Sequence, residues 1–421
     1  MCIPCKALPT GIVTCLQSIQ NSSGSHLYTP SSSMYLNDRL GFNNIFDHKP
    51  SAIFHPGSEA DAATVIVCAA AHNVSIAPRS GGHSFERYSG SGKDGSLVID
   101  LSLFQQIAIE HDTGIATVGA GTRLGPLYTR LWNAGEYLVP AGSCPSVGIC
   151  GHALRGGMGM VGRKYGMLSH NIVSLTMIDA NGDILEISAT SRPDLFWALR
   201  GAGGGSFGLV TEFRIQAYKA PATITTVVAM YPWSMHHVVM EAFGIWAKTA
   251  TDDLTPLLYI NHDIVAIMGT FLGPRDEANA VFKPLYELTG PPEHSAFNEG
   301  TWYAVAMWAK IEGSKVENPI AKHDRTYRSP SLLYRQPISD SEMTTFSRYL
   351  SSPPNNLNSR ISSQTAHSSG PTLEAYQNYI ERDIPNGLQA YYGDNMPRLI
   401  EIKKNVDPDN IFTFPQAIPL K

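Results

Sequence analysis

Charge is scarce in this chain, and positive charge is scarcer than negative. Lys and Arg number 31 against 36 Asp and Glu, a net charge of −5, and charged residues make up only 16%. With no basic excess there is no electrostatic reason to expect nucleic acid or an anionic membrane as a partner. Long hydrophobic runs are missing as well: none approaches the roughly 18 residues of a membrane span. Cysteine is sparse, with six in 421 residues. Cys2 and Cys5 form one C-x-x-C with no second pair, so zinc and any other metal centre are not expected. Cys15 and Cys68 are free to pair if the protein is secreted. Met1 to Gln20 reads as a poor signal peptide, because Pro9, Thr10, Gly11 and Thr14 break its apolar stretch and Lys6 is its only basic residue. Asn21-Ser-Ser and Asn73-Val-Ser are glycosylation triplets that matter only on a secretory route.

What is abundant is apolar residues, 43% of the chain, and glycine, 37 residues. The length suits one large or two intimately joined domains with an ample core. Three blocks emerge. Up to about Ala220, short apolar strands (Ser96 to Leu101, Ile115 to Val118, Ser174 to Ile178) alternate with glycine turns, and Ala60 to Ala71 and Arg123 to Ala134 have helical spacing. From Pro221 to Gly370, strands at Ile224 to Met230, Leu257 to Asn261 and Ile264 to Phe271, with a helix at Met235 to Lys248, predict an antiparallel sheet covered by helices. The last block carries Tyr391–Tyr392–Gly393, a basic helix (Arg398 to Lys404) and Asp407–Pro408–Asp409–Asn410. The fold class expected is α+β.

Two loops carry the chemistry. Pro78–Arg79–Ser80–Gly81–Gly82–His83–Ser84 delivers a histidine behind a glycine pair, and Gly142–Ser143–Cys144–Pro145–Ser146–Val147–Gly148 delivers a cysteine between glycines. Glycine lets backbone amides approach a phosphate, and successive amides form an anion nest. A nucleophilic imidazole beside such a nest suits tethering of a phosphate-bearing cofactor. On these residues alone, an ordinary bend and a buried, inert thiol stand beside that reading. Gly203-x-Gly205-x-x-Gly208 matches the dinucleotide fingerprint as a string. However, a helical segment precedes it and a strand follows, the reverse of what that fingerprint needs. Gly157 to Lys164 is no Walker-type phosphate loop, since Arg163 follows Gly162.

Further features follow in order: Gly151–His152, Gly156–Gly157–Met158–Gly159, Arg163–Lys164–Tyr165–Gly166, Asn171–Ile172–Val173, the turn Asp179–Ala180–Asn181–Gly182, and Asp194–Leu195–Phe196–Trp197–Ala198–Leu199–Arg200–Gly201. From Leu40 to Ala220 and again from Tyr376 to Pro419, the chain resembles the berberine-bridge-enzyme-like oxidases of the vanillyl-alcohol-oxidase flavoprotein superfamily, the fungal oligosaccharide oxidases among them. The resemblance implies a PCMH-type FAD-binding domain of two subdomains over residues 1–220 (core about 46–220), a substrate domain over 221–371, and a C-terminal segment, 372–421, that returns to the flavin. It implies FAD held by two bonds, His83 to the 8-methyl carbon and Cys144 to the ring. Arg79, Ser80, Gly81, Gly82, Ser84, Val147, Gly148, Gly151, His152, Gly157, Val210 and Asn378 are expected to line its pocket. A small-molecule substrate, dioxygen as electron acceptor, a monomer and a secreted location are expected on the same basis. Double tethering makes a flavin more oxidising and leaves room for a wide substrate groove.

Oxidation of a hydroxyl needs a base within hydrogen-bond reach. Tyr376–Gln377–Asn378–Tyr379 matches the family's Tyr-x-Asn-Tyr element, which makes Tyr379 the expected base, its pKa to be lowered by a neighbouring cation or donor. A core tyrosine at an interface is the plain alternative. Taken as extended chain, Gln377 and Tyr379 share one face and Tyr376 and Asn378 the other. That makes Tyr376 the weaker catalytic candidate, as a wall of the pocket. His152 is expected to hydrogen-bond its loop rather than to stabilise charge, and Cys150 to pack as a small hydrophobe. His236–His237, Trp302 and Trp308 either stack on sugars or belong to the core. Ser351 to Pro371, rich in Ser, Asn and Pro, stands where relatives carry more chain, and reads as loop. This shortening raises a second expectation, a flavin-binding protein of the same fold without turnover.

Overall fold

The computed structural model describes residues 8–306 and 375–421, apart from 23, 44, 92, 261–262 and 385. Ser351 to Pro371, the helix expected near Ser341 to Leu350 and Trp308 lie outside the described residues.

Strands β1 (His26–Tyr28), β2 (Ala52–His55), β3 (Ile76–Arg79) and β4 (Leu97–Asp100) form a sheet in the order β1-β2-β4-β3. β2 and β3 both run parallel to β4. A parallel pair needs a crossover, and helix Glu59–Ala71 supplies it. The helix starts where the Ser58 hydroxyl accepts the Asp61 N–H (3.1 Å), and Glu59 and Asp61 sit in its first turn. Ala62, Val65, Ile66 and Ala69, at helical spacing, are its buried stripe. β2 and β4 are buried along their whole length because both faces are covered. Phe54, Leu97 and Ile99 enter the main core, while Ile53, Ala77 and Val98 pack with Tyr35 on the other side. Cys15 and Cys68 are disulfide-bonded, joining helix Thr10–Ser22 to Glu59–Ala71.

Strands β5 (Ile107–Glu110), β6 (Ile115–Gly119), β8 (Ile172–Ile178), β9 (Ile184–Ser188) and β10 (Leu209–Gln216) make an antiparallel sheet ordered β5-β6-β10-β8-β9, with β7 (Tyr137–Leu138) and β11 (Tyr218–Lys219) paired beside it. The β8–β9 turn falls where its residues demand. Asp179 Oδ1 accepts from the amides of Asn181 (2.8 Å) and Asp183 (3.0 Å), and Gly182 takes φ +84°. Helix Pro193–Ala202 precedes Gly203–Gly208 and β10 follows, the order that excludes a dinucleotide fingerprint.

The third sheet is antiparallel, β13 (Leu254–Ile260), β14 (Ile264–Phe271), β12 (Ile224–Pro232) and β15 (His294–Gly300) in that order. Helices His236–Thr249 and Arg275–Thr289 share a core with its inward residues Val227, Ala229 and Tyr231. β13 begins at Leu254, before the expected Leu257, because Leu254 to Pro256 pair with Phe271 to Gly269. Pro256 masks this in the sequence, yet β13 is an edge strand, where a missing N–H is tolerated.

The C-terminal residues rejoin the first sheet: Ile76 donates its N–H to the Ile411 carbonyl (2.9 Å). Fully buried Lys403 donates to Asp407 and to the carbonyls of Ser206 (2.6 Å) and Phe412 (2.8 Å), which fastens helix Met396–Val406 to the glycine run.

Candidate functional site

The two loops singled out in the sequence meet because neither has a side chain at the crossing. A Cβ on Gly81 would stand 2.2 Å from the Gly148 nitrogen, and one on Gly148 would stand 2.1 Å from the Gly81 nitrogen. Only glycine permits that approach. Arg123 then fastens the loops, its Nη1 donating to the carbonyls of both Gly81 (3.1 Å) and Ser146. The second loop also covers the start of helix Leu124–Asn133, where the free amides of Leu124 and Gly125 reach the carbonyls of Val147 (3.0 Å) and Pro145 (2.9 Å).

Beside this junction lies a cavity of about 350 Å³. Its walls include Arg79, Ser80, Gly81, Gly82, His83, Ser84, Cys144, Val147, Gly148, Gly151, His152, Val210, Asn378 and Tyr379, all expected at the cofactor site. Ser146 is buried beneath them, and its Oγ lies 2.9 Å from His83 Nε2 and 3.4 Å from Cys144 Sγ. The His83 ring stacks on Phe42, centroids 4.0 Å apart. Burial first, and then the charge of Arg123, pushes the His83 pKa down to about 3, so the imidazole is neutral. Neutral imidazole keeps a lone pair for attack or acceptance. Burial likewise takes His152 down to about 4, and its Nε2 accepts the Gly142 N–H (3.0 Å), so it holds the loop and brings no positive charge. Burial lifts the Cys150 thiol to about 12, leaving it a small inert hydrophobe.

Arg79 lines the cavity as expected, with its guanidinium committed behind the wall to Asp100 and to Asp38 (3.0 Å). His55 completes that cluster, with Nε2 at 2.8 Å from Asp38 and Nδ1 at 3.1 Å from Asp100. Two expectations need correction. Tyr376 and Gly157 stand off the cavity wall: the buried Tyr376 hydroxyl accepts the amides of Gly157 and Met158 (3.0 Å each) and the Asn378 side-chain amide (2.8 Å). The segment is a tight 3₁₀ turn, Gln377–Tyr379, and not extended chain, because Asn378 is drawn to the carbonyls of His152 (3.1 Å) and Arg155 (3.2 Å). Strand alternation therefore does not describe it. Tyr379, 40% exposed, lies against Phe85 with ring centroids 5.1 Å apart. Burial first, and then Tyr376, raises its pKa; neither neighbour lowers it as a base would want.

Ser146, Arg123 and Arg155 were not singled out from sequence. Ser146 carried a usable signal, two positions past Cys144 in the same loop; Arg123 and Arg155 stand in unremarkable helix-end contexts. Arg155 borders the cavity with a buried Nε that lacks a hydrogen-bond partner, while Gly203, Gly204 and Gly205 line the wall nearby. An orphaned cationic donor beside bare backbone fits an anionic, phosphate-bearing cofactor. Trp302 is fully buried, edge-on to Tyr128. His236 stacks on Trp233 and serves helix packing.

Residues 50–188 match the FAD binding domain family and residues 375–419 the berberine and berberine-like family. The chain is 33% identical to the glucooligosaccharide oxidase of Sarocladium strictum over 63% of its own length and 54% of that protein's. It is 37% identical to the xylooligosaccharide oxidase of Thermothelomyces thermophilus over 49% of its length and 41% of that protein's. The matched stretch thus spans about half the length of these two oxidases. The solved structure of BBE-like 1 from Physcomitrella patens aligns with a TM-score of 0.87 and 30% identity, over 98% of this chain and all of that one. The loops that cross at Gly81 and Gly148, the cavity beside them and the returning C-terminal segment therefore belong to a member of the berberine-bridge-enzyme-like family of FAD-linked flavoproteins.

Proposed function

We propose that this protein is an FAD-dependent oxidase of a hydroxyl-bearing small molecule, an oligosaccharide or a secondary-metabolite alcohol, with FAD bonded to both His83 and Cys144 and dioxygen as the final acceptor. The observation that carries the reading is that a neutral imidazole, a thiol and a tyrosine, His83, Cys144 and Tyr379, line the same cavity. Identity to two oligosaccharide oxidases supports the substrate class.

Bound FAD supplies the two-electron acceptor. His83 and Cys144 anchor it, so the remaining walls need not enclose it. Arg155, through its unpartnered Nε, and the Gly204 amide receive its phosphates. Tyr379, on the cavity side of the turn, takes the substrate's hydroxyl proton on its Oη. Tyr376 and Asn378 hold that turn to the flavin loop through the amides and carbonyls they bind. Residues 1–220 and 372–421 form the cofactor half and 221–371 the substrate half of a monomer. The Cys15–Cys68 disulfide favours an oxidising, secretory compartment.

Acid precipitation tests the tethers. The parent is expected to stay yellow, His83→Ala to keep a cysteinyl bond alone, Cys144→Ala a histidyl bond alone, and the double variant to release all flavin. Peroxide release over a panel of sugars and aromatic alcohols tests turnover. A yellow, tethered protein whose flavin no substrate reduces would replace the oxidase by a flavin-binding protein without turnover.

A further inference from the structure

The hydroxyl of Ser146 reaches both proposed attachment points, 2.9 Å from His83 Nε2 and 3.4 Å from Cys144 Sγ, and it is buried. Hydrogen-bond bookkeeping decides what it does there. A neutral imidazole carries one N–H and one lone pair, and the nitrogen that holds the proton is selected by what the other meets. A serine hydroxyl has one donor and two acceptor sites.

We propose that Ser146 is a positioning residue for flavin attachment: its oxygen accepts the Nε2 hydrogen of His83, which leaves the Nδ1 lone pair for the cavity, and its hydrogen is donated to Cys144 Sγ. One hydroxyl thereby readies two nucleophiles. The backbone of Ser146 holds the arrangement, since its carbonyl accepts from Arg123, which also grips Gly81. The proposal rests on the two-bond reading above. In each attachment a new bond forms from Nδ1 or Sγ to the flavin, and two hydrogens leave as protons, one from the nucleophile and one from the flavin carbon. The two electrons left on the flavin pass to dioxygen, which restores the oxidised ring.

The test follows uptake of FAD by flavin-free protein, with covalent occupancy of each site read by mass spectrometry of the peptides that carry His83 and Cys144. Ser146→Ala is expected to bind FAD with unchanged total flavin content, while attachment at both positions slows by about 10²-fold, the low end of what a placed proton carrier contributes. Ser146→Thr restores the rate. Ser146→Val, of the same shape without the hydroxyl, does not, and this pair carries the comparison if the alanine variant is insoluble. In a His83→Ala background Ser146→Ala still slows the cysteinyl bond, which a purely histidine-directed role would not do. Attachment at parental rates in the alanine and valine variants overturns the proposal. A parent that itself releases all flavin on acid precipitation overturns the two-bond reading beneath it, a different outcome.

Discussion

At the scale of single residues, the site depends on which atoms are already engaged. Tyr376 and Tyr379 are three positions apart and chemically identical, yet the Tyr376 oxygen is engaged by two backbone amides and Asn378 whereas Tyr379 opens on the cavity. Tyr379→Phe keeps the stacking on Phe85 and removes the oxygen. The rate of flavin reduction by substrate is expected to fall about 10²–10⁴-fold, with reoxidation by dioxygen little changed; stopped-flow absorbance separates the two half-reactions. Because burial and Tyr376 raise the Tyr379 pKa above the usual 10, its anionic form grows only in alkali. The reduction rate should therefore climb with pH without levelling off below 10, the value it starts from. A plateau near neutrality would assign the proton to another group. Gly81→Ala probes the crossing. Its methyl would lie 2.2 Å from the Gly148 nitrogen, so the loops must part. Overpacking of this kind destabilises by about 1–3 kcal/mol, and acid-stable flavin should fall with it as His83 and Cys144 separate.

At the scale of elements, the first sheet ends in a cluster of four ionisable groups, with buried Arg79 and His55 set between half-buried Asp38 and buried Asp100. The cluster joins β2, β3 and β4 to the chain at Asp38 behind the cavity. Burial alone would depress the His55 pKa, but hydrogen bonds and charge from Asp100 and Asp38 raise it to about 9 from 6.5. A group raised on folding stabilises fully below its unfolded value and loses that contribution as pH climbs through the folded one. Stability should thus decline between pH 6.5 and about 9, by something on the order of 3 kcal/mol at one pKa unit per 1.4 kcal/mol. Urea midpoints across that range measure it, and His55→Gln should flatten the slope. A midpoint that rises over the same interval would contradict the assignment.

At the scale of the whole molecule, the third sheet is held to the flavin-side loops by Arg163. Its Nη1 donates to the Ala247 carbonyl (2.8 Å) and its Nη2 to that of Ala250 (3.0 Å), at the C-terminal end of helix His236–Thr249. Lys164 reaches Asp253 alongside. The contacts are placed where a cation meets unpaired helix carbonyls. Arg163→Met is expected to lower stability by about 1–3 kcal/mol, the penalty for carbonyls left without donors. Acid-stable flavin should stay at the parental level, since Arg163 touches neither tether. Calorimetry and flavin absorbance on one preparation test both; loss of covalent flavin would show that this junction also shapes the cavity.

Much of this protein was legible along the chain because the deciding physics is local. The spacing of Ala62, Val65, Ile66 and Ala69 marks a helix, Asp179 to Gly182 marks a turn, and the β-branched run in Ile224 to Met230 marks a strand. The two proposed attachment points, His83 and Cys144, stand in two short loops whose glycines signal close backbone approach before any fold is known. What only the tertiary structure decided concerns partners distant in sequence. That Asp38 and Asp100 hold the Arg79 guanidinium is decided only when those distant residues fold against it. Tyr376 to Tyr379 looked extended until the carbonyls of His152 and Arg155, more than two hundred positions away, drew Asn378 into a turn. Ser146 acquired its place only when His83 arrived from the other loop. Hydrogen-bond capacity is written in each residue, but which atom satisfies it depends on chain crossings, and those are fixed by the packing of the whole molecule.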